Sequence, residues 1–220
     1  MARHVNVSRP HLIGSLSMLN AVRTMLDLQD RMNTKVHPEW RQQEFEWYRA
    51  AWIECAELME HAGYKWWKRA DPDIEQIQLE VVDIWHFGMS AMICRSDSLD
   101  DLAAQIAEDL AAKTTEPSLL KATETLAESC ITTQSFSTNA FLGLMAASGL
   151  SFEQLYRMYV GKNVLNLFRQ DHGYKDGSYI KIWDGREDNE HLSDLFVRLD
   201  PNQADFADAV YQGLAEAYPG

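Results

Sequence analysis

Cysteine is scarce in this chain of 220 residues: Cys55, Cys94 and Cys130 are widely spaced and odd in number. They give neither the even framework of a disulfide-stapled secreted domain nor the close pairs of a zinc site. Three buried free thiols in a reducing compartment is the simple reading. Positive charge is short as well. Twenty Lys and Arg face 33 Asp and Glu, a formal net charge of -13, which repels a phosphate backbone and argues against a non-specific nucleic-acid binder. An anionic small substrate stays compatible only where metal and local basic residues neutralise it. Long apolar runs are missing too. The most apolar stretch, residues 140–150, is too short and too rich in small residues to span a bilayer. Residues 1–10 carry Arg and His but no apolar h-region, so they are not read as a signal peptide. A soluble cytoplasmic protein, with no nucleic-acid or membrane partner, is expected. Strand-like alternation and internal repeats are also absent.

What remains is helical periodicity. After a Ser8–Pro10 start signal, Leu12, Leu16, Leu19, Val22, Leu26 and Met32 recur at threes and fours. A second helix is expected over residues 43–61, stopped by Gly63. A third begins near Asp71-Pro72-Asp73 and runs to Ile93. Residues 96–117 are acidic and Ala-rich and read as a short exposed helix plus a connection, a candidate hinge. Residues 123–148 read as one buried helix ended by Gly149. Ser151 with Gln154 resembles a capping start for the next, to Gln170. A glycine-bearing basic loop, 172–186, precedes a final helix over 204–218. The expectation is one all-α domain over residues 1–220, a helical bundle with a rigid core and a mobile helical part about 96–117. The tryptophans Trp40, Trp47, Trp52, Trp66, Trp67 and Trp85 read by default as core or interface anchors.

Two acidic motifs stand out, Glu54-Cys55-Ala56-Glu57 and Glu80-Val81-Val82-Asp83. Residues three apart share a helix face, so each motif presents two carboxylates side by side in apolar surroundings. Such groups are costly to desolvate without a compensating cation. Four of them across two packed helices make a cage for hard cations, Mg²⁺ first among them. Farther on, Lys162, Asn166 and Arg169 fall at i, i+4 and i+7 on one face. They suit a chain of phosphates, and a solvated basic face fits the spacing equally well. Gly173-Tyr174-Lys175-Asp176-Gly177 can fold over a ligand and add a cation.

In order along the chain come Leu28-Gln29-Asp30-Arg31-Met32-Asn33, the Glu54–Glu57 motif, Tyr64-Lys65-Trp66-Trp67-Lys68, the Glu80–Phe87 motif, and Lys162-Asn163 through Lys175. This ordered series resembles the dimeric all-α dUTPases of the all-α nucleoside-triphosphate pyrophosphatase superfamily. The resemblance implies Mg²⁺-dependent hydrolysis of dUTP, and of dUDP, to dUMP by a homodimer. It implies Glu54, Glu57, Glu80 and Asp83 as metal ligands holding two or more ions, with Glu57 as the base for water. Gln29 and Asn33 would read uracil, His86 and Phe87 would pack on the deoxyribose, and Lys65 and Trp66 would lie near the nucleotide. Lys162, Asn166, Arg169 and Lys175 would neutralise phosphates. Tyr64 departs from the Trp frequent in that family. Because these carboxylates and the basic residues near the back would grip one ligand across the 96–117 connection, an open form that closes on Mg²⁺ and nucleotide is also expected, on the premise that the acidic half lacks counter-ions beforehand.

Other readings stay open on residues alone. Glu54 and Glu57 could be surface glutamates paired with Arg49 or His61. A related pyrophosphohydrolase preferring dCTP or a damaged nucleotide would keep the carboxylates and change the α-helical amides near the start. A non-catalytic nucleotide sensor would keep the binders. A di-iron bundle would need Glu-x-x-His twice, and this chain offers only Asp83-Ile84-Trp85-His86.

Overall fold

A computed structural model describes residues 18–68, 70–114, 118–200, 203 and 205–220. Among them the chain is all-α apart from one small hairpin. The elements are α1 (Met18–Val36), a 3₁₀ turn (Trp40–Gln42), α2 (Trp47–His61), α3 (Ile74–Ile93), α4 (Leu99–Leu110), α5 (Leu119–Thr133), α6 (Thr138–Ala147) and α7 (Phe152–Asp171). Then follow β1 (Ile182–Trp183), β2 (Arg186–Glu187), α8 (Asp188–Arg198) and α9 (Phe206–Ala217). No helix among the described residues is long and apolar enough to cross a membrane.

Helix α3 forms the axis of the bundle because it is apolar nearly all round: Ile77, Val81, Val82, Ile84, Trp85, Met89 and Ile93 are all buried. Its start is fixed by Asp73, whose carboxylate accepts the Gln76 backbone N–H at 3.2 Å. α2 lies along α3 and α5, while α1 packs on α3, α4 and α7. Trp85 is fully buried and stacks on Phe141 with ring centroids 4.7 Å apart. Each such side chain contributes roughly 1.5–3 kcal/mol of burial free energy. α7 starts with the expected capping box, Ser151 accepting from the Gln154 backbone and Gln154 from that of Ser151. Its far end carries Phe168, which meets the rings of Trp183, Tyr211 and Tyr218 and so docks the hairpin and α9.

Several expectations need correction. The single helix over 123–148 is two helices, broken where Gln134 turns left-handed (φ 50°) and Ser137 caps α6 by accepting the Ala140 N–H. The break lets the Phe136 ring seat on Gly88 of α3, where a Cβ would lie 2.5 Å from it. The helix within residues 96–114 is not exposed: Leu102, Ala103, Ile106 and Leu110 bury one side of α4, which packs on α1 and α6. Alanine counted as bland in the sequence and serves as core here. The loop 172–186 holds a hairpin, Ile182 opposite Glu187 and Trp183 opposite Arg186. Asp184 (φ 48°) and Gly185 (φ 80°) make its turn with both central residues left-handed. Two-residue strands are too short to show alternation. α8 was not anticipated, being short and mostly polar. Helix α2 starts at Trp47, not 43, since Glu44 is left-handed (φ 53°). Cys94 is exposed, unlike the buried Cys55 and Cys130, and Trp66 is 90% exposed, so it is no core anchor. Ser8, Pro10, Leu12, Leu16, residues 115–117 and residue 204 lie outside the described residues.

The packing at Gly88 is testable against Gly143 of α6, where an added Cβ meets nothing within 4 Å. Gly88→Ala is expected to lower stability by about 1–3 kcal/mol through overpacking against Phe136. Gly143→Ala should raise it by roughly 0.5–1 kcal/mol as a helix-interior glycine is removed. Thermal melts of the two variants read both signs.

Candidate active site

The seam between α2 and α3 collects carboxylates. α2 turns Ala51, Cys55 and Leu58 into the core, which leaves Glu54 half-buried and Glu57 exposed along the same edge. Facing them from α3 is Glu80, 9% exposed. One oxygen from each of Glu54, Glu57 and Glu80 lies within 4.8 Å of the others. The alternative pairing of these glutamates is not seen: Arg49 pairs with Glu46, and His61 Nε2 stands 3.4 Å from Glu80 Oε1. Burial, then the Asp83 charge, then its hydrogen bond to Glu80 push the Glu54 carboxyl up to about 8. Burial and Asp83 raise Glu80 as well. Glu54 therefore holds its proton at neutral pH.

Asp83 sits one turn beyond Glu80 but is not among the three that converge. Its Oδ2 accepts from Lys162 Nζ of α7 at 2.8 Å, with the Lys162 side chain 13% exposed. This corrects the premise that the acidic half lacks a counter-ion before ligand arrives. Asn166 accepts from Arg169 Nη1 at 3.1 Å, and Arg169 holds Asp188 through Nε at 2.7 Å and Nη2 at 2.8 Å. The three α7 residues are thus paired and half-buried or deeper. A solvated basic face is not what they form. Lys175 is exposed in the loop beyond. Lys65 pairs with Glu60, and Trp66 meets the Trp67 ring edge-on at 5.5 Å. Neither Lys65 nor Trp66 makes a hydrogen bond, ion pair or ring contact with the acidic cluster.

A second polar group lies where α1, α3 and α7 meet. Ser90 Oγ gives its one proton to the His86 carbonyl (3.1 Å), so its contacts with Gln29 Nε2 (3.0 Å) and Asn33 Nδ2 (2.9 Å) must be donations from the amides. That fixes both amide orientations. Gln29 Nε2 also donates to Asn33 Oδ1 at 3.1 Å. Gln29 Oε1 faces Tyr159 OH and His86 Nδ1, each at 2.9 Å. Gln29 is 5% exposed and has no group left over. Asn33, half-buried, keeps one N–H and one oxygen lone pair. Since Gln29 Oε1 accepts, His86 carries its proton on Nδ1 and leaves Nε2 bare, buried and without a partner. Burial pushes His86 down to about 4, so it is neutral. Phe87 stacks on Trp47, centroids 6.3 Å apart.

Residues 21–174 match a family model described as dUTPase. The chain belongs to the all-α dUTPase family. No curated protein matches it significantly. Family membership makes it a dUTP diphosphatase, a hydrolase acting on a nucleotide. Members of this dUTPase family are typically metal-dependent, and the three converging carboxylates are the candidate cluster. The match takes in α1 to α7, hence every carboxylate of the seam, Lys162, Asn166 and Arg169. Lys175, Tyr179 and Asp188 fall beyond it. Ser90, Tyr159, Asn163, Tyr179 and Asp188 were not foreseen. Ser90 lies one turn from His86 and carries a weak spacing signal, but nothing in sequence links Asp188 to Arg169 nineteen residues away.

The raised Glu54 carboxyl gives a sign for pH dependence in chelator. The folded state keeps a proton up to about 8 that the unfolded chain releases near the usual 4.5, so this contribution to stability is full below 4.5 and is lost as pH rises to 8. Melting temperature in EDTA should fall across that window, and Glu54→Gln should flatten the fall.

Proposed function

We propose that this dUTPase hydrolyses dUTP, and dUDP, to dUMP in a Mg²⁺-dependent reaction, keeping uracil out of DNA and supplying dUMP for thymidylate synthesis. The observation that carries the reading is the meeting of Glu54, Glu57 and Glu80 oxygens beside a lysine-bearing helix. The donor set fits Mg²⁺: all oxygen, acidic, and crowded enough that the Glu54 carboxyl is pushed up to about 8. Glu54, Glu57, Glu80 and Asp83 would hold two or more ions. Bound there, Mg²⁺ supplies charge neutralisation of the phosphates and a more acidic water.

The chain's own groups do the rest. Glu57, the most exposed of the three, takes the proton of the attacking water. Lys162 would exchange Asp83 for a phosphate oxygen, and Asn166, Arg169 and Lys175 complete the grip. Asn33 offers a donor to O4 and an acceptor to N3–H of uracil, while Gln29 holds Asn33 and does not touch the base. Neutral His86 accepts at Nε2 from a sugar hydroxyl, and Phe87 fills the face where a 2′-hydroxyl would go. Lys65 and Trp66 approach the nucleotide by movement of their exposed segment. A homodimer is supported by Ile53, Trp66, Trp67 and Ile74, large apolar side chains left exposed on or beside α2 and α3.

Glu57→Ala or Asp83→Ala should fold normally and lose roughly 10²-fold or more in kcat. Near wild-type turnover of either at saturating Mg²⁺ would remove the cage from the mechanism.

Base choice follows from pinned amides. Cytosine reverses the donor and acceptor of uracil, and Asn33 cannot turn over while Gln29 and Ser90 hold its two ends. dUTP should therefore be preferred over dCTP by about 10⁴ in kcat/KM. Ser90→Ala should erode that ratio by freeing the amides. Equal hydrolysis of the two nucleotides by the wild type would move the assignment to a pyrophosphohydrolase with another base.

A further inference from the structure

We propose that Asp188 is a positioning residue for phosphate binding: it holds the Arg169 guanidinium in one orientation, with two donors turned toward substrate. The inference rests on the reading of Arg169 as a phosphate binder. It adds a residue from α8, outside the span matched by the dUTPase family.

A guanidinium has five N–H donors. Two go to the carboxylate of Asp188, Nε to Oδ2 and Nη2 to Oδ1. A third goes from Nη1 to Asn166 Oδ1, leaving one donor on each Nη for an anion. The Asp188 side chain is fully buried, so the carboxylate is itself fixed. Tyr179 OH donates to Asp188 Oδ2 at 2.8 Å, and the Tyr174 ring lies 5.9 Å from the guanidinium carbon. Arginine ordinarily carries large rotamer freedom, and aligning it for a bidentate phosphate contact costs part of the binding free energy. Here the orientation is set before substrate arrives, which is how preorganised donors act on developing charge. A plain staple of α8 onto α7 would not need Asn166, another member of the ladder, in the same network. Buried ion pairs are also weak staples: apolar residues of similar volume do as well or better.

The test is steady-state kinetics of the full chain with dUTP and Mg²⁺, with folding followed by circular dichroism. Arg169→Ala and Asp188→Asn should each lower kcat/KM by about 10²-fold, and the double variant should be no worse than Arg169→Ala alone. Asp188→Glu should recover part of the loss. Tyr179→Phe, which removes only the hydroxyl on Asp188, should cost several-fold in the wild type and nothing beside Arg169→Ala. A folded Asp188→Asn with wild-type kinetics, or losses that multiply in the double variant, would overturn positioning while leaving the phosphate role of Arg169 standing. If Asp188→Asn does not fold, Tyr179→Phe decides: no loss, or a loss independent of Arg169, overturns the inference. Full activity of Arg169→Ala would remove the phosphate role and the inference with it.

Discussion

Three carboxylates crowded on the seam of α2 and α3 are electrostatically costly, and much of the bundle is arranged around that cost. Carboxylates at such short range repel one another; the Glu54 carboxyl keeps its proton up to about 8, and His61 Nε2 stands 3.4 Å from Glu80. α7 must cross close enough to α3 for Lys162 to reach Asp83. That crossing in turn brings Tyr159 and Asn163 against α1. The apolar mass around Trp85 supplies the stability that the polar seam spends.

The same crossing builds the amide cluster. At the meeting of α1, α3 and α7, two amides have their direction set by one hydroxyl proton, that of Ser90 toward the His86 carbonyl. From it follow the amide orientations of Gln29 and Asn33, and from Gln29 the tautomer of His86. What emerges is a short list of groups with spare capacity: one edge of Asn33 and Nε2 of His86. If the base and sugar bind there as proposed, those two openings would be selective, since a ligand that leaves either unpaired loses the hydrogen bond and keeps the desolvation cost.

The helical class, the starts of α3 and α7, and the acidic seam were legible in sequence because each rests on local spacing: Asp73 at a cap, Ser151 with Gln154, and carboxylates at i and i+3. The failures share one cause. Gln134 breaks a helix because Phe136 finds Gly88 on another element, and Ala103 and Ile106 are core because α1 lies beside them. Neither fact is local. In the site, the ladder of Lys162, Asn166 and Arg169 was visible as a face, but spacing could not say what that face meets. Asp83 and Asp188 meet it, and the second comes from a helix whose short polar sequence carried no periodic signal. Gln29 and Asn33 looked equivalent until burial separated them.

The end of the family match at residue 174 also marks a physical boundary worth questioning. Helix α7 carries Lys162, Asn166 and Arg169, yet the orientation of Arg169 is decided after that boundary, by Tyr179 and Asp188. Phe168 shows the same dependence from the apolar side, since its ring is covered by Trp183, Tyr211 and Tyr218. The hairpin, α8 and α9 therefore hold the basic end of α7 through both a buried ion pair and an aromatic cluster. An arginine supported this way keeps its geometry only while the tail stays docked. If Arg169 binds phosphate as proposed, the active site reaches as far along the chain as the contacts that orient its donors, to Tyr179 and Asp188.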